Sequence, residues 1–455
     1  MSSPGKVIVV GAGVVGVCCA SYLQRQGHDV SLIERNAPGE GCSLGNSGGF
    51  GVGLVAPLAT PGLLLRLPRL LLDPRQPLSV TPGQFVRLLP WFARFLAASR
   101  LGRVAEIAAA RHQLSAQAFA ALNPLLEDAG ARSLVRRDGM LFVYESRRSL
   151  ERARYGLDMA RRFGVKVREI DGAEARDLEP ALGPNVRYGV LFPDNGHTVN
   201  PLRLVQVLAR RFVERGGTLR RESVGAILIA DDGRPRVETD ASTHAADAVV
   251  LAAGVWSRRF AAALGCDLPV TAERGYHAMI ATPGVTLRAP VTLSDRNVVL
   301  TPMEEGLRIT GISEFAALDA PPNAERADRI ARQAGEFLPG LETAGMTRWM
   351  GPRPSTPDSL PFIGPAPRHR SVYFAFGHSH MGLAWAAVTG KVIAEMVAGQ
   401  SPSLDCAPYR PDRFRSASPR VSRVDGRVDL LLASDEKERN GRDYEGPMSK
   451  HDSSL

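Results

Sequence analysis

Gly11, Gly13 and Gly16 form GxGxxG between the apolar run KVIVV (6–10) and the helical pattern VCCASYLQRQG, and Glu34 closes the next apolar run, DVSLIE (29–34). In such a loop the first glycine permits the tight turn and the second lets backbone approach a pyrophosphate. The third lets helix pack on strand, and the helix N-terminus stabilises the anion. Val10, Val14 and Val15 flank the glycines within this cradle. Glu34 can accept hydrogen bonds from ribose hydroxyls, with Arg35 beside it, and its carboxylate would repel a 2′-phosphate. Three glycines alone would be a weak signal; the strand, the helix and the acid at its expected spacing make the loop a dinucleotide site. The loop does not by itself distinguish a flavin from a nicotinamide dinucleotide.

Three further segments carry small residues suited to a flat ring or phosphate. CSLGNSGGFG (42–51) offers Ser43, Asn46, Ser47, Gly48 and Gly49, although read alone it would serve equally as a flexible glycine loop. AAGVWS (252–257) ends a buried strand with Ala253, Gly254 and Trp256. FGHSHMG (376–382) places Gly377 and Gly382 at the start of a last helix, where backbone amides and the helix dipole could stabilise negative charge on a reduced flavin. Its histidines, His378 and His380, divide between solvent and cofactor; a metal pair is not expected at i, i+2 without acidic company. We take His378 as a catalytic candidate, and His380 and Met381 as cofactor contacts.

These residues need a scaffold. The N-terminal strand, turn, helix and second strand make a βαβ unit, which implies a parallel sheet. PLRLVQVLARRFVERGG (201–217) reads as an amphipathic helix leading into strands near 218–229, ADAVVLAAG (246–254) as a buried strand, and 383–398 as the last helix. We expect an α/β fold: a Rossmann-like nucleotide domain built from the discontinuous segments 1–57, 200–258 and 350–412, with an inserted α+β substrate domain from 58–199 and 259–349. In the insert, helical patterns such as LSAQAFAALNPLLEDAG alternate with strand-like runs such as GMLFVYES and LRITGISE, pointing to a mainly antiparallel sheet. Residues 413–455 are polar and charge-rich and are expected to be disordered.

Composition excludes several functions. The 455 residues, 44% hydrophobic and 23% charged, describe an ordinary globular protein. No window approaches a membrane-spanning length, and the start lacks a basic segment before its apolar run, so a cytoplasmic location is expected. Five cysteines without CxxC spacing suggest neither a disulfide framework nor a zinc site. The net charge of +9 comes almost wholly from arginine mixed with acids along the chain, so no nucleic-acid partner is expected. Lysine occurs only at 6, 166, 391, 437 and 450, which leaves little room for Schiff-base chemistry. One stretch is both basic and apolar: residues 61–103, with PGLLLRLPRLLLDPRQPL and FVRLLPWFARFLAASRLGR. Its leucines are expected to pack inside the second domain, the alternative being peripheral contact with an anionic membrane face.

Taken in order, GAGVVG, Glu34, SLGNSGG, AAGVWS, GPRPSTPDSLPFIGP (351–365) and GHSHMG resemble the FAD-dependent D-amino-acid oxidase superfamily. The chain is most similar to the bacterial D-amino-acid dehydrogenases, over about residues 5–413, with GLVAPLATPG, DPRQPLSV, DLEPAL and ERGYHAMI resembling stretches of that subgroup. The resemblance implies FAD on the glycine cradle, with Val224 meeting the adenine. It also implies that Arg353 holds the substrate carboxylate and that Tyr276 lies on a strand bordering the substrate. Sarcosine-oxidase-type relatives attach flavin through a cysteine just before the TPD element; here Gly351 and Pro352 stand there, so non-covalent FAD is implied. Those relatives also carry a lysine where this chain has Ala384. The five prolines of 351–365 would make a spacer on composition alone, but their place before the glycine turn makes them a stiff segment crossing the cofactor.

The expected activity is hydride transfer from Cα of a D-amino acid or cyclic D-imino acid to flavin N5, giving an imine and then a 2-oxo acid and ammonia. A quinone or other electron-transfer component is the expected acceptor. The alternatives are a flavoprotein subunit of a heteromeric hydroxyproline or opine dehydrogenase, and a glycine- or sarcosine-type oxidase.

Overall fold

The computed structural model describes residues 5–62 and 78–414. The expected tail and much of the basic apolar stretch lie outside the described residues. Arg413, placed at the head of that tail, is instead anchored: its guanidinium donates to both oxygens of buried Asp358 and lies 4.0 Å over the Phe362 ring.

Six strands form the nucleotide sheet, in the spatial order Thr218–Arg221, Asp29–Glu34, Lys6–Val10, Ala248–Leu251, Val372–Phe376 and Phe362–Pro365. All neighbours are parallel except the last pair. Strands covered on both faces must be apolar throughout, and Val7 to Val10 and Ala248 to Leu251 are all buried. The strand order reverses about Lys6–Val10, so the crevice at the carboxyl ends, where such sheets bind ligands, opens beside Gly11 and Ala252.

The helices Val14–Arg25 and Gly382–Val397 cover this sheet and cross so closely that a Cβ on Gly390 would lie 2.6 Å from the carbonyl of Cys18. Cys18 and Cys19 are buried at the crossing as small apolar residues. The helix Leu101–Asp128 also joins this core, although its sequence position falls within the expected insert. Trp385 Nε1 donates to Ser115 Oγ at 3.0 Å, and buried Arg111 donates to the carbonyls of Leu54, Val55 and Ser359.

The second sheet runs from the edge strand Thr347–Ser355 through Thr271–Ile280, Gly306–Phe315, Val298–Met303 and Val291–Leu293 to Met140–Tyr144, Tyr188–Phe192 and Arg168–Asp171. Leu78–Val80 lies parallel beside Gly306–Phe315, and Val291–Leu293 is parallel to Met140–Tyr144; the other pairs are antiparallel. Pro352 and Pro354 fit because Thr347–Ser355 pairs on one side only, so a missing amide donor costs no ladder bond.

The helix Pro82–Ala98 splits its apolar residues. Leu88 and Trp91 pack with Phe315, whereas Phe85, Val86 and Leu89 face outward beside exposed Arg87. Among the described residues no helix is long and apolar enough to cross a membrane.

Candidate active site

Gly11 leaves its strand with φ 104°, and a Cβ there would lie 2.7 Å from the Ala252 carbonyl oxygen and 2.8 Å from Ala253 Cα. A Cβ on Gly16 would fall 1.7 Å from the Gly11 carbonyl oxygen, so only glycine lets Val14–Arg25 start flush against the loop. Gly13 precedes the helix in extended conformation without a capping side chain, and the first turn holds no acid. Ser43 Oγ accepts from the Val14 amide at 3.0 Å. The Glu34 carboxylate accepts from Ala12 on one oxygen and from Arg35 on the other, both at 2.9 Å. Val10 and Val14 are buried, and Val15 packs at the margin of the core that holds Val14. The cradle therefore has a positive helix end without acidic side chains in its first turn, and the close backbone approach that a dinucleotide diphosphate requires.

Farther along the same crevice, the Arg35 guanidinium covers the Trp256 ring at 4.5 Å. Gly254, φ 59°, turns the chain after Ala253 into this position. Val224 opens the strand Val224–Ile229 three residues beyond Arg221, the register partner of Glu34, and its carbonyl accepts from Arg259.

The loop after the second strand is held from the second sheet. Arg308 Nη1 donates to the carbonyls of Leu44 and Asn46 at 2.9 and 2.8 Å, and burial pushes this guanidinium down to about 10. Asn46 Oδ1 accepts from the Gly48 amide, while Gly48, φ 79°, accepts from Thr198, and Gly49 pairs with His197. Half-buried Ser47 completes the turn. Trp349 lies so close over Gly45 that a Cβ there would be 1.9 Å from the ring, and it stacks on His277 with centroids 5.2 Å apart. Arg308, Trp349 and His277 escaped the sequence reading; the hint was that the glycine loop needs something large to fill the space its missing side chains leave.

Arg353 pairs in register with Glu273 across the two strands. Its Nη1 donates to the Ile312 carbonyl at 3.1 Å and lies 3.5 Å from Glu273 Oε1. Its Nε and Nη2 make no hydrogen bond among the described residues, and a Cβ on Gly275 would strike Nη2 at 2.1 Å. One edge of the fork is therefore held and the other has no hydrogen bond among the described residues. Glu273, 3% exposed, also accepts from Ser313 and Ser355, and His380 Nε2 lies 3.0 Å from the same Oε1. Burial alone would raise the Glu273 carboxyl, but His380, Arg353 and Ser313 outweigh it and hold the group well below the usual carboxylate range. Glu273 is the buried partner of Arg353 and His380 that the sequence did not single out; its signal was the acid at the head of ERGYHAMI, paired with GPRPS only once the strands meet.

Tyr276 and His378 are not brought to Arg353. Tyr276 is three residues from Glu273, an odd number on a strand, so its side chain leaves the opposite face. There it is buried, its hydroxyl donates to Glu314, and Arg274 and Arg326 flank that carboxylate. His378, 2% exposed, turns under the glycine turn to place Nε2 2.9 Å from Thr389 Oγ1, and burial pushes it down to about 3. Of the two histidines, His380 is the one that faces the arginine. Gly377, φ 84°, and Ser379, φ 50°, make the turn, Ser379 Oγ accepts from the Thr356 amide, and Met381 leads into the helix at Gly382.

A family model described as FAD dependent oxidoreductase, DAO, matches residues 6–396. A D-amino-acid oxidase of Bradyrhizobium diazoefficiens is 34% identical over 415 residues, which is 90% of this chain and 98% of that protein. Among solved structures, glycine oxidase from Geobacillus kaustophilus matches with a TM-score of 0.72 at 22% identity, covering 91% of this chain and all of that one. L-proline dehydrogenase from P. horikoshii matches at 0.67 and 20% identity, over 91% and 98%. At these identities the two structures speak for the fold. The parallel sheet, its glycine cradle and these matches lead to one conclusion: the chain belongs to the DAO family of FAD-dependent oxidoreductases.

Proposed function

We propose that the protein oxidises the Cα–N bond of a D-amino acid or cyclic D-imino acid, with Arg353 holding the substrate carboxylate. The supporting observation is the half-occupied fork: Nη1 is held by Ile312 and Glu273, whereas Nε and Nη2, in a guanidinium that fits against its neighbour strand only because residue 275 is glycine, have no hydrogen bond among the described residues and remain for a carboxylate. A two-bond clamp fixes the direction of Cα, and positioning of this kind supplies much of the rate in a reaction that asks little acid or base work of the substrate carbon.

The residues that would hold FAD are Gly11, Gly13, Val14 and Gly16 at the diphosphate, Glu34 at ribose, and Val224, Arg35 and Trp256 at the adenine end. Asn46 to Gly49 and Gly377 to Gly382 would border the ring. Bound there without a covalent link, since Gly351 stands where a tethering cysteine would be, FAD supplies the acceptor for the hydride of the Cα–H bond. The chain's own part is to aim that bond with Arg353 and to shelter it between the edge strand and the glycine turn. We place the FAD domain on the six-stranded sheet and the substrate domain on the second sheet, with Leu101–Asp128 bridging them. A quinone is the proposed acceptor, and the outward Phe85, Val86 and Leu89 beside Arg87 support peripheral membrane contact.

Anaerobic bleaching of the yellow holoenzyme against D-alanine, D-proline, cis-4-hydroxy-D-proline, glycine and sarcosine tests the reading. Bleaching by a D-amino or D-imino acid is expected. Failure of all five, or bleaching only by glycine or sarcosine, would overturn it.

A further inference from the structure

His380 and Arg353 share one neighbour. His380 Nε2 is 3.0 Å and Arg353 Nη1 3.5 Å from the same oxygen of Glu273. A carboxylate oxygen 3.0 Å from Nε2 favours a proton on that nitrogen, and the Nε2–H tautomer leaves Nδ1 with its lone pair. Nδ1 makes no hydrogen bond among the described residues, and the His380 side chain is 35% exposed, so a proton reaching it can pass on to water. Glu273 is held in turn by Ser313 and Ser355, so the carboxylate that orients the ring is itself fixed.

We propose that His380, oriented by Glu273, takes the proton from the substrate's α-ammonium group. The inference rests on the proposed seating of a substrate carboxylate on Arg353. In an α-amino acid the nitrogen is bonded to the carbon next to the carboxylate, so a substrate held on the open edge of Arg353 carries its nitrogen into the space beside the imidazole. The chemistry requires a base: the imine C=N forms from the nitrogen lone pair, which an ammonium lacks. One N–H bond breaks and its proton joins His380 Nδ1. The nitrogen lone pair then forms the C=N bond as the Cα–H electron pair leaves with its hydrogen for the flavin. Oriented histidine bases of this kind contribute about 10²–10⁴-fold. Among the described residues, the charged or titratable groups at His380 are Glu273 from Thr271–Ile280 and, sharing the same Glu273 oxygen, Arg353 from Thr347–Ser355, while His378 on its own turn points away to Thr389. His380 is therefore assigned as a catalytic residue, and Glu273 as a positioning residue that acts through it.

The test uses holoenzyme and two ligands, an oxidised D-amino acid and benzoate, a carboxylate without an α-amine. For His380→Asn we expect kcat/KM to fall by about 100-fold near neutral pH and the deficit to shrink as pH rises and free amine accumulates, with benzoate affinity unchanged. Glu273→Gln keeps the imidazole but not its orientation, so the acid limb of the kcat/KM profile persists below a lower plateau. His380→Gln provides a second, larger replacement should asparagine disturb the turn. A His380→Asn profile parallel to that of the unmodified enzyme would overturn the proposal. Unchanged benzoate binding in an Arg353 variant would instead overturn the seating on Arg353, so the two failures are distinguishable.

Discussion

Glu273 and Arg353 stand opposite each other in register on paired antiparallel strands, and their side chains meet at 3.5 Å on the face that looks toward the glycine turn. The pair sets the direction of the fork, because Glu273 and the Ile312 carbonyl together occupy Nη1. Lysine at 353 would retain the charge but offer a single flexible ammonium, which could satisfy Glu273 or a substrate carboxylate but not both with defined geometry. For Arg353→Lys we expect KM to rise and kcat to fall, with kcat/KM reduced by about 100-fold or more. Steady-state kinetics near neutral pH measure both, and near-normal values would remove Arg353 from the site.

Gly16 offers a sharper structural test than the other glycines of the cradle. Gly11 needs its positive φ, whereas Gly16 needs space: a Cβ would sit 1.7 Å from the Gly11 carbonyl, and that obstacle is backbone, not the tip of a side chain that can swing away. Gly16→Ala must push the helix off the loop, so we expect a loss of about 3 kcal/mol of stability, the upper end of the usual cost of overpacking, together with loss of bound FAD. Thermal unfolding and the flavin-to-protein absorbance ratio of the purified variant measure the two effects.

The nucleotide half of the fold was legible because its signals are local. KVIVV and DVSLIE became strands with the expected limits, and Gly11, Gly13, Gly16 and Glu34 lie within one βαβ unit, where spacing alone fixes their neighbours. The arginine-bearing strand was readable as a stiff segment but not as a partner of ERGYHAMI, since register between distant strands is decided by whole-sheet packing. Tyr276 illustrates the cost. Its strand is the one that carries Glu273, yet one residue of parity sends its hydroxyl to Glu314 on the far face. Which of His378 and His380 turns inward was not legible from an HSH sequence: Ser379 between them has a positive φ, His378 is buried on Thr389, and the His380 side chain is 35% exposed. Arg111, buried and donating to three backbone carbonyls, had no sequence signal, because an arginine in an amphipathic helix ordinarily faces water.

Cys42 lies at the head of the glycine loop, and its thiol donates to the Pro352 carbonyl beside Arg353. Proximity to a guanidinium favours the thiolate, but burial dominates over the arginine and pushes the thiol up to about 12. Reactivity follows the thiolate fraction. We therefore expect Cys42 to resist iodoacetamide at pH 8 in the native holoenzyme and to alkylate fully after unfolding, as peptide mass analysis would show. Rapid native labelling at this residue would contradict the raised thiol.

Three buried histidines set how stability depends on pH. Burial holds His378 down to about 3, and His197 and His277 to about 4, against an unfolded value near 6.5. Above about pH 6.5 the rings are neutral in both states and contribute no slope. Below it the unfolded chain binds protons that the folded chain refuses, so stability falls with pH by up to about 1.4 kcal/mol per unit for each ring. The loss continues to about pH 4 for His197 and His277 and to about 3 for His378. Glu273 acts later. Its folded carboxyl lies below the usual range, so its contribution is complete at neutral pH and declines only as the unfolded carboxylate begins to protonate near pH 4–5. The melting temperature should therefore begin to drop between pH 6.5 and 5, before any carboxylate effect. His378→Gln, whose amide can still meet Thr389 but cannot take a proton, should reduce that slope by one histidine's share. Melting curves at half-unit steps from pH 7.5 to 4.5 decide the matter; a melting temperature flat down to pH 5 would show that these rings are not buried as the fold places them.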